Sequence, residues 1–306
     1  MFDKFGVPYP KDGMTWDDLY DLNVKMTRNF DGTQYYGIGA SYNHQVLLNQ
    51  LSIPIVDGAS MKVTYDTDPR WNAWVQNLVR FYQPPGNDLL KANQLNEPNE
   101  RNRFFKDRTV AMFMALTALH TEKEINDMNW DIAPFPSFKD SPGVGPQAYP
   151  CFFYVTSMSD HKDDAFQAIA YLTTDEYQLQ RSKEGKFLSV LSNKSIRQAF
   201  GQDNSLYKGK HITALQPEQY APASEFNKYS STVNGDLGAA MKDIILSGKD
   251  INTALRETAE KSNKKIADAE AARSQVAANG NKATCHAGLN AWRSPFALQE
   301  AIIPVP

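Results

Sequence analysis

The sequence predicts an α/β protein, and two observations carry that prediction. Short apolar runs suited to buried strands alternate along the chain with segments whose apolar residues recur every three or four positions. Most of those helical segments also open on a residue that can cap them. The 306 residues are 42% hydrophobic and 22% charged, enough to bury an ordinary core as one large domain or two modest ones.

The elements follow in order. Residues 6–13 carry Gly6, Pro8, Pro10 and Gly13 and read as a loop. A helix opens at Thr15, with Asp18 at the third helical position as a capping-box acid and Trp16, Leu19, Leu22 and Met26 forming one apolar stripe. Asp31-Gly32 marks a turn, and residues 35–39 (Tyr-Tyr-Gly-Ile-Gly) read as a strand. Asp68-Pro69 announces a second helix whose apolar face is Trp71, Trp74, Val75, Leu78, Val79 and Tyr82, ended by Pro84-Pro85-Gly86. A polar stretch over 86–103 is expected to be loop with some helix. Residues 109–114 are expected to form a strand buried on both faces, and residues 130–136 and 152–156 two more strands. Helices are predicted after Ser159, after Thr174, from about Asn227 to Leu246, and from about Asp250 to Ala272, the last two parted by Ser247-Gly248. The region 201–224 is loop-like, with Pro217 and Pro222.

Several function classes find no support. A formal charge of −3 gives no footprint for a nucleic-acid partner. No apolar run approaches the roughly 18 to 20 residues that span a bilayer. The start, Met1-Phe2-Asp3-Lys4, has no signal-peptide pattern. The five histidines, His44, His120, His161, His211 and His286, show neither HxxxH nor HExxH spacing, so no metal site and no cofactor are predicted. There is no Walker loop, no G-x-S-x-G elbow and no dinucleotide fingerprint, and Gly37-Ile38-Gly39 is too short to signify one. Cys151 and Cys285 are far apart in sequence; they pair only if the fold brings them together, and the plainer reading is two unrelated thiols with Cys151 buried. Aromatics beside planar amides and carboxylates are more suggestive: Tyr42-Asn43-His44, Tyr149, Tyr229, and Asn234-Gly235-Asp236. Aromatic faces cover the C–H patches of sugar rings, while amides and carboxylates take paired hydroxyls. Tyr and Asn also decorate loops without binding anything.

Several segments, in this order, resemble the family 1 extracellular solute-binding proteins of ABC transporters, the group of maltose- and oligosaccharide-binding proteins. Residues 2–10 (Phe-Asp-Lys-Phe-Gly-Val-Pro-Tyr-Pro) followed by Thr15-Trp16-Asp17-Asp18-Leu19 are similar to one of its most recognisable stretches. Residues 105–112 resemble its Phe-x-x-Gly-x-x-Ala-Met, with Arg108 where glycine is usual. Residues 130–136, 161–166, 172–176 and 247–255 resemble later segments, so the likeness covers roughly residues 1–275.

The resemblance implies a periplasmic-binding-protein-like type II fold, with the C-terminal lobe largely present and the N-terminal lobe incomplete. Residues 1–148 and 215–275 would form the C-terminal lobe, residues 149–214 part of the N-terminal lobe, and residues 276–306 a non-native or disordered tail. The family's first third would be missing, so Phe152, Phe153, Ile169 and Leu172 would be left without sheet partners. It further implies a non-enzymatic component of an ABC importer that closes two lobes around a sugar or oligosaccharide, at the cell surface or in the periplasm, as a lipoprotein, handing it to membrane permease subunits. With half its cleft absent, this chain is expected to bind weakly or not at all. The ligand contacts carried over are Tyr42, Asn43, Thr117, Tyr149, Tyr229, Asn234 and Asp236. A stacking tryptophan that relatives place near Thr117 is absent. The alternative is a carbohydrate-active enzyme with an acidic pair that spacing does not reveal.

Overall fold

Local sequence sets most helix boundaries. In the computed structural model, which describes residues 1–87, 97–116, 123–225 and 227–280, the chain opens with the one-turn helix α1 (Phe2–Phe5). Helix α2 (Trp16–Met26) starts at Thr15, whose hydroxyl accepts the Asp18 N–H while the Asp18 carboxylate accepts the Thr15 N–H at 2.8 Å. Its stripe of Trp16, Leu19, Leu22 and Met26 is buried as predicted. Strands β1 (Arg28–Phe30) and β2 (Thr33–Ala40) pair antiparallel across Asp31 and Gly32, both at positive φ (49° and 77°), which suits a tight hairpin turn. A short helix, α3 (Tyr42–Leu47), leaves the end of β2 directly.

Helix α4 (Arg70–Val79) follows Asp68-Pro69, and the Arg70 N–H donates to Asp68 Oδ1 at 3.0 Å. Helix α5 (Glu97–Phe105) turns back into strand β3 (Val110–Met114), which runs parallel to β2. Arg108 sits in that turn at φ 55°, the left-handed region that favours glycine. Strand β4 (Val144–Gln147) is followed by three helices, α6 (Lys162–Tyr171), α7 (Asp175–Lys183) and α8 (Lys194–Gln198). The Thr174 hydroxyl caps α7 by accepting the Tyr177 N–H at 3.3 Å. Strand β5 (Gln219–Ala221) pairs parallel with β4. The long helices α9 (Ser230–Ser247) and α10 (Ile251–Gly280) are separated by Gly248 in the left-handed conformation (φ 67°).

The sheet order β1-β2-β3 places β2 in the middle. Helices α2 and α5 both pack on β2, which explains its two close glycines. A Cβ on Gly37 would lie 2.5 Å from the Asn23 backbone, and one on Gly39 would lie 2.7 Å from Glu100 Oε2. The main apolar core gathers Trp16, Trp71, Trp74, Tyr65 and Phe81 with Val233, Leu237 and Met241 of α9 and Leu255 and Ile266 of α10. None of its residues comes from 149–214.

Three strand expectations need correction. Strand β3 buries only Val110 fully, because it is the third strand and lies half covered. Residues 130–136 form no strand: Pro134 and Pro136 have no N–H to give, and Asp131 Oδ1 instead accepts the His211 N–H at 2.8 Å. Residues 152–156 also form no strand, since no neighbouring strand lies beside them among the described residues. Phe152, Phe153 and Tyr154 are 70%, 62% and 79% exposed. The same lack of a partner leaves α6 without one buried residue, with Phe166 65% exposed. Cys151 is exposed rather than buried, and Cys285 lies outside the described residues. The predicted tail, residues 276–306, falls there too, except that α10 continues to Gly280.

Candidate functional site

In open α/β sheets a ligand meets the protein at the carboxyl ends of parallel strands, where loops diverge. Strands β2 and β3 end together at Ala40 and Met114, and the Ser41 N–H ties them by donating to the Met114 carbonyl at 3.0 Å. The chain then turns straight into α3. Asn43 is exposed there, and its Oδ1 approaches α9 at Gly238, where a Cβ would stand 2.6 Å away. His44 is half-buried, with Nδ1 2.6 Å from Ser41 Oγ. Its ring meets Tyr149 edge-on at 6.1 Å, and Tyr149 is 53% exposed.

Tyr149 is carried to this place by the residues before it. The Gln147 N–H donates to the Leu48 carbonyl at 3.1 Å and its side-chain amide to the Asn49 carbonyl at 2.9 Å. Two segments about 100 residues apart thus present an amide, an imidazole and a phenol ring on one surface. That set can hydrogen-bond hydroxyls and cover an apolar ring face.

Tyr42 faces inward. It is 8% exposed, its ring packs on Tyr82 at 5.4 Å, and its hydroxyl donates to Glu100 Oε1 at 2.9 Å. Glu100 Oε2 also accepts the Tyr82 hydroxyl at 3.0 Å and the Ala40 N–H at 2.8 Å. Burial raises the Glu100 carboxyl to about 7, although these donors and the nearby Arg103 guanidinium work in the opposite direction. Burial likewise holds both tyrosine hydroxyls neutral, well above their usual range.

The remaining expected contacts lie elsewhere. Asn234 is buried on α9 one turn before Gly238. Asp236 is 7% exposed and works inside the α9–α10 contact, accepting from Ser262 Oγ at 2.8 Å and pairing with Lys265 at 2.5 Å. Tyr229 is buried, and its hydroxyl donates to Glu270 of α10. Thr117 lies outside the described residues. Glu100, the centre of the network under the site, lies in a stretch that reads as polar loop and carries no motif. Among the described residues no group of three or more His, Cys, Asp or Glu is placed to hold a metal ion, and no helix is long and apolar enough to cross a membrane.

A sugar transporter of Rhizobium etli in an open conformation superposes with a TM-score of 0.62 at 21% identity, over 85% of this chain and 67% of that one. An ABC substrate-binding protein of Listeria monocytogenes in complex with cycloalternan gives 0.58 at 16% identity, over 87% and 67%. The maltose/maltodextrin-binding domain of Bdellovibrio bacteriovorus bound to maltotriose gives 0.54 at 15%, over 86% and 68%. The chain thus spans about two thirds of the length of each, and shares their type II periplasmic-binding-protein fold over that part. No curated protein matches the sequence. The family model described as bacterial extracellular solute-binding protein matches residues 2–179. That match covers more than half of the chain, which therefore belongs to the bacterial extracellular solute-binding protein family.

Proposed function

We propose that this chain is part of the solute-binding component of an ABC importer and contacts a carbohydrate through Asn43, His44 and Tyr149, handing it on to permease subunits in the membrane. The observation that carries the reading is the contact of His44 with Tyr149 next to the exposed Asn43, just past the shared end of β2 and β3. Solved relatives that share the fold are described with cycloalternan and maltotriose, which makes a glucan the first ligand to try. Tyr42 belongs to the site as its inner support. Asn234 lines its α9 side, and Asp236 and Tyr229 act on the site only through the packing of α9 on α10.

The division into lobes is part of the same proposal. Residues 1–148 and 215–275 form one lobe, and residues 149–214 belong to the facing one. Two observations support it: the main core takes no residue from 149–214, and that segment exposes Phe152, Phe153, Tyr154, Met158 and Phe166. A further sheet covering these aromatics would complete the second wall of the cleft, and closing the two walls on the ligand would be the signal the permease reads.

The test is residue-resolved NMR at millimolar maltotriose and cycloalternan, which detects weak as well as tight binding. Saturable shifts at Asn43, His44 and Tyr149, with Asp236 and Tyr229 unmoved, are expected. Shifts absent from those three positions with both sugars would sink the reading. Conversion of either sugar to shorter products, followed in the same samples, would instead identify an enzyme.

A further inference from the structure

The group beneath the site is more informative than its surface. Glu100 is 1% exposed, yet its carboxylate receives three donors from three separate elements: the Ala40 N–H at the end of β2, the Tyr42 hydroxyl in α3, and the Tyr82 hydroxyl in the turn after α4. Gly39 is the residue that makes room for it, since any Cβ there would strike Oε2 at 2.7 Å. Ala40 and Tyr42 flank Ser41, the residue that binds His44 and ties β2 to β3. The backbone that aims Asn43 and His44 outward is therefore held from behind at two points by a single carboxylate.

We propose that Glu100 is a positioning residue for this solute site, and that gain or loss of its proton changes how firmly the Ala40–His44 segment is held. The inference rests on the carbohydrate-binding reading given above. An ionised carboxylate accepts all three hydrogen bonds. A protonated one must place its own hydrogen, and on Oε1 that hydrogen forces the Tyr42 hydroxyl to turn from donor to acceptor. Facing Glu100 are Tyr42 from α3, Tyr82 from the turn after α4, and Arg103 from its own helix. Strand β2 approaches it with Gly39 and Ala40, neither of which titrates. Arg103 lies over the Tyr36 ring at 5.6 Å. The carboxyl changes state about pH 7, so the effect falls where solution measurements are simple.

The experiment compares the full chain with Glu100→Gln, which mimics the protonated form in shape and charge. The first readout needs no ligand: the Ala40 and Asn43 amide resonances followed from pH 5.5 to 8.5. In the parent chain both should move with a midpoint near 7, and in Glu100→Gln that component should vanish. His44 is present in both proteins, so the difference between them isolates Glu100. The second readout is the apparent affinity for maltotriose. It should be about fivefold tighter at pH 8 than at pH 6, the worth of one hydrogen bond. In Glu100→Gln the affinity should lose that dependence and stay near the parent's pH 6 value. A purely structural role predicts a loss of affinity equal at both pH values, and that result overturns the proposal. So does a parent chain whose Ala40 and Asn43 amides show the same titration as the variant. If those amides titrate as expected while maltotriose shifts nothing at either pH, the carbohydrate reading fails and the coupling of Glu100 to the segment stands.

Discussion

Replacing Glu100 with glutamine should remove a pH dependence from the folding stability itself. Burial raises this carboxyl from its ordinary 4.5 to about 7 in the folded protein. Between those two values the folded chain keeps a proton that the unfolded chain has already released. Stability therefore falls as pH rises across that window, by about 1.4 kcal/mol per pH unit, and the contribution is flat below 4.5 and above 7. The whole step comes to about 3 kcal/mol, a large fraction of the 5 to 15 kcal/mol typical of a domain. Glutamine cannot titrate, so it lacks the step while keeping an acceptor for the Ala40 N–H and the Tyr82 hydroxyl. Urea unfolding of both proteins at pH 5 and pH 8, followed by fluorescence of the buried Trp16, Trp71 and Trp74, measures the difference. Groups common to the two proteins contribute equally to both and cancel in the comparison. The free-energy gap, variant minus parent, should rise by about 3 kcal/mol from pH 5 to pH 8. Parallel curves would refute the reasoning, because they would mean that Glu100 has the same proton affinity folded and unfolded.

Three further outcomes follow from particular contacts. Arg108→Gly should raise stability by about 1 kcal/mol in urea unfolding, since Arg108 occupies a left-handed backbone conformation at φ 55° that glycine adopts without a clash. Asp236→Ala should cost about 2 to 3 kcal/mol by leaving the buried Ser262 hydroxyl unpaired, yet leave maltotriose-induced shifts at Asn43 in place; a ligand-contacting Asp236 would give the reverse. The double variant Phe152→Ser with Phe166→Ser should change stability by less than about 0.5 kcal/mol and lower the binding of an apolar dye, because both rings are already in solvent.

The sequence by itself determined the helices and the family. Thr15 with Asp18, Asp68 before Arg70, Thr174 and Gly248 fix helix ends through contacts that span a few residues, and all can be read one segment at a time. Arg108 marked a glycine position in the resemblance, and the left-handed backbone there supplies the reason. Strands were less legible, because a strand exists only through a partner that the local sequence does not name. Residues 152–156 have the apolar character of a strand, but among the described residues no strand lies beside them, so they form none. The site divided along the same line. Asn43 and Tyr149 were visible as residue types, but only the fold brings Tyr149 against His44, the residue next to Asn43, and turns Tyr42 and Asp236 inward. Glu100 had no signature, since its properties come from burial and from three donors lying 18, 58 and 60 positions away in the chain. Caps and periodicity are short-range and stay in the sequence. The environment of a carboxylate is long-range, and only tertiary packing decided it.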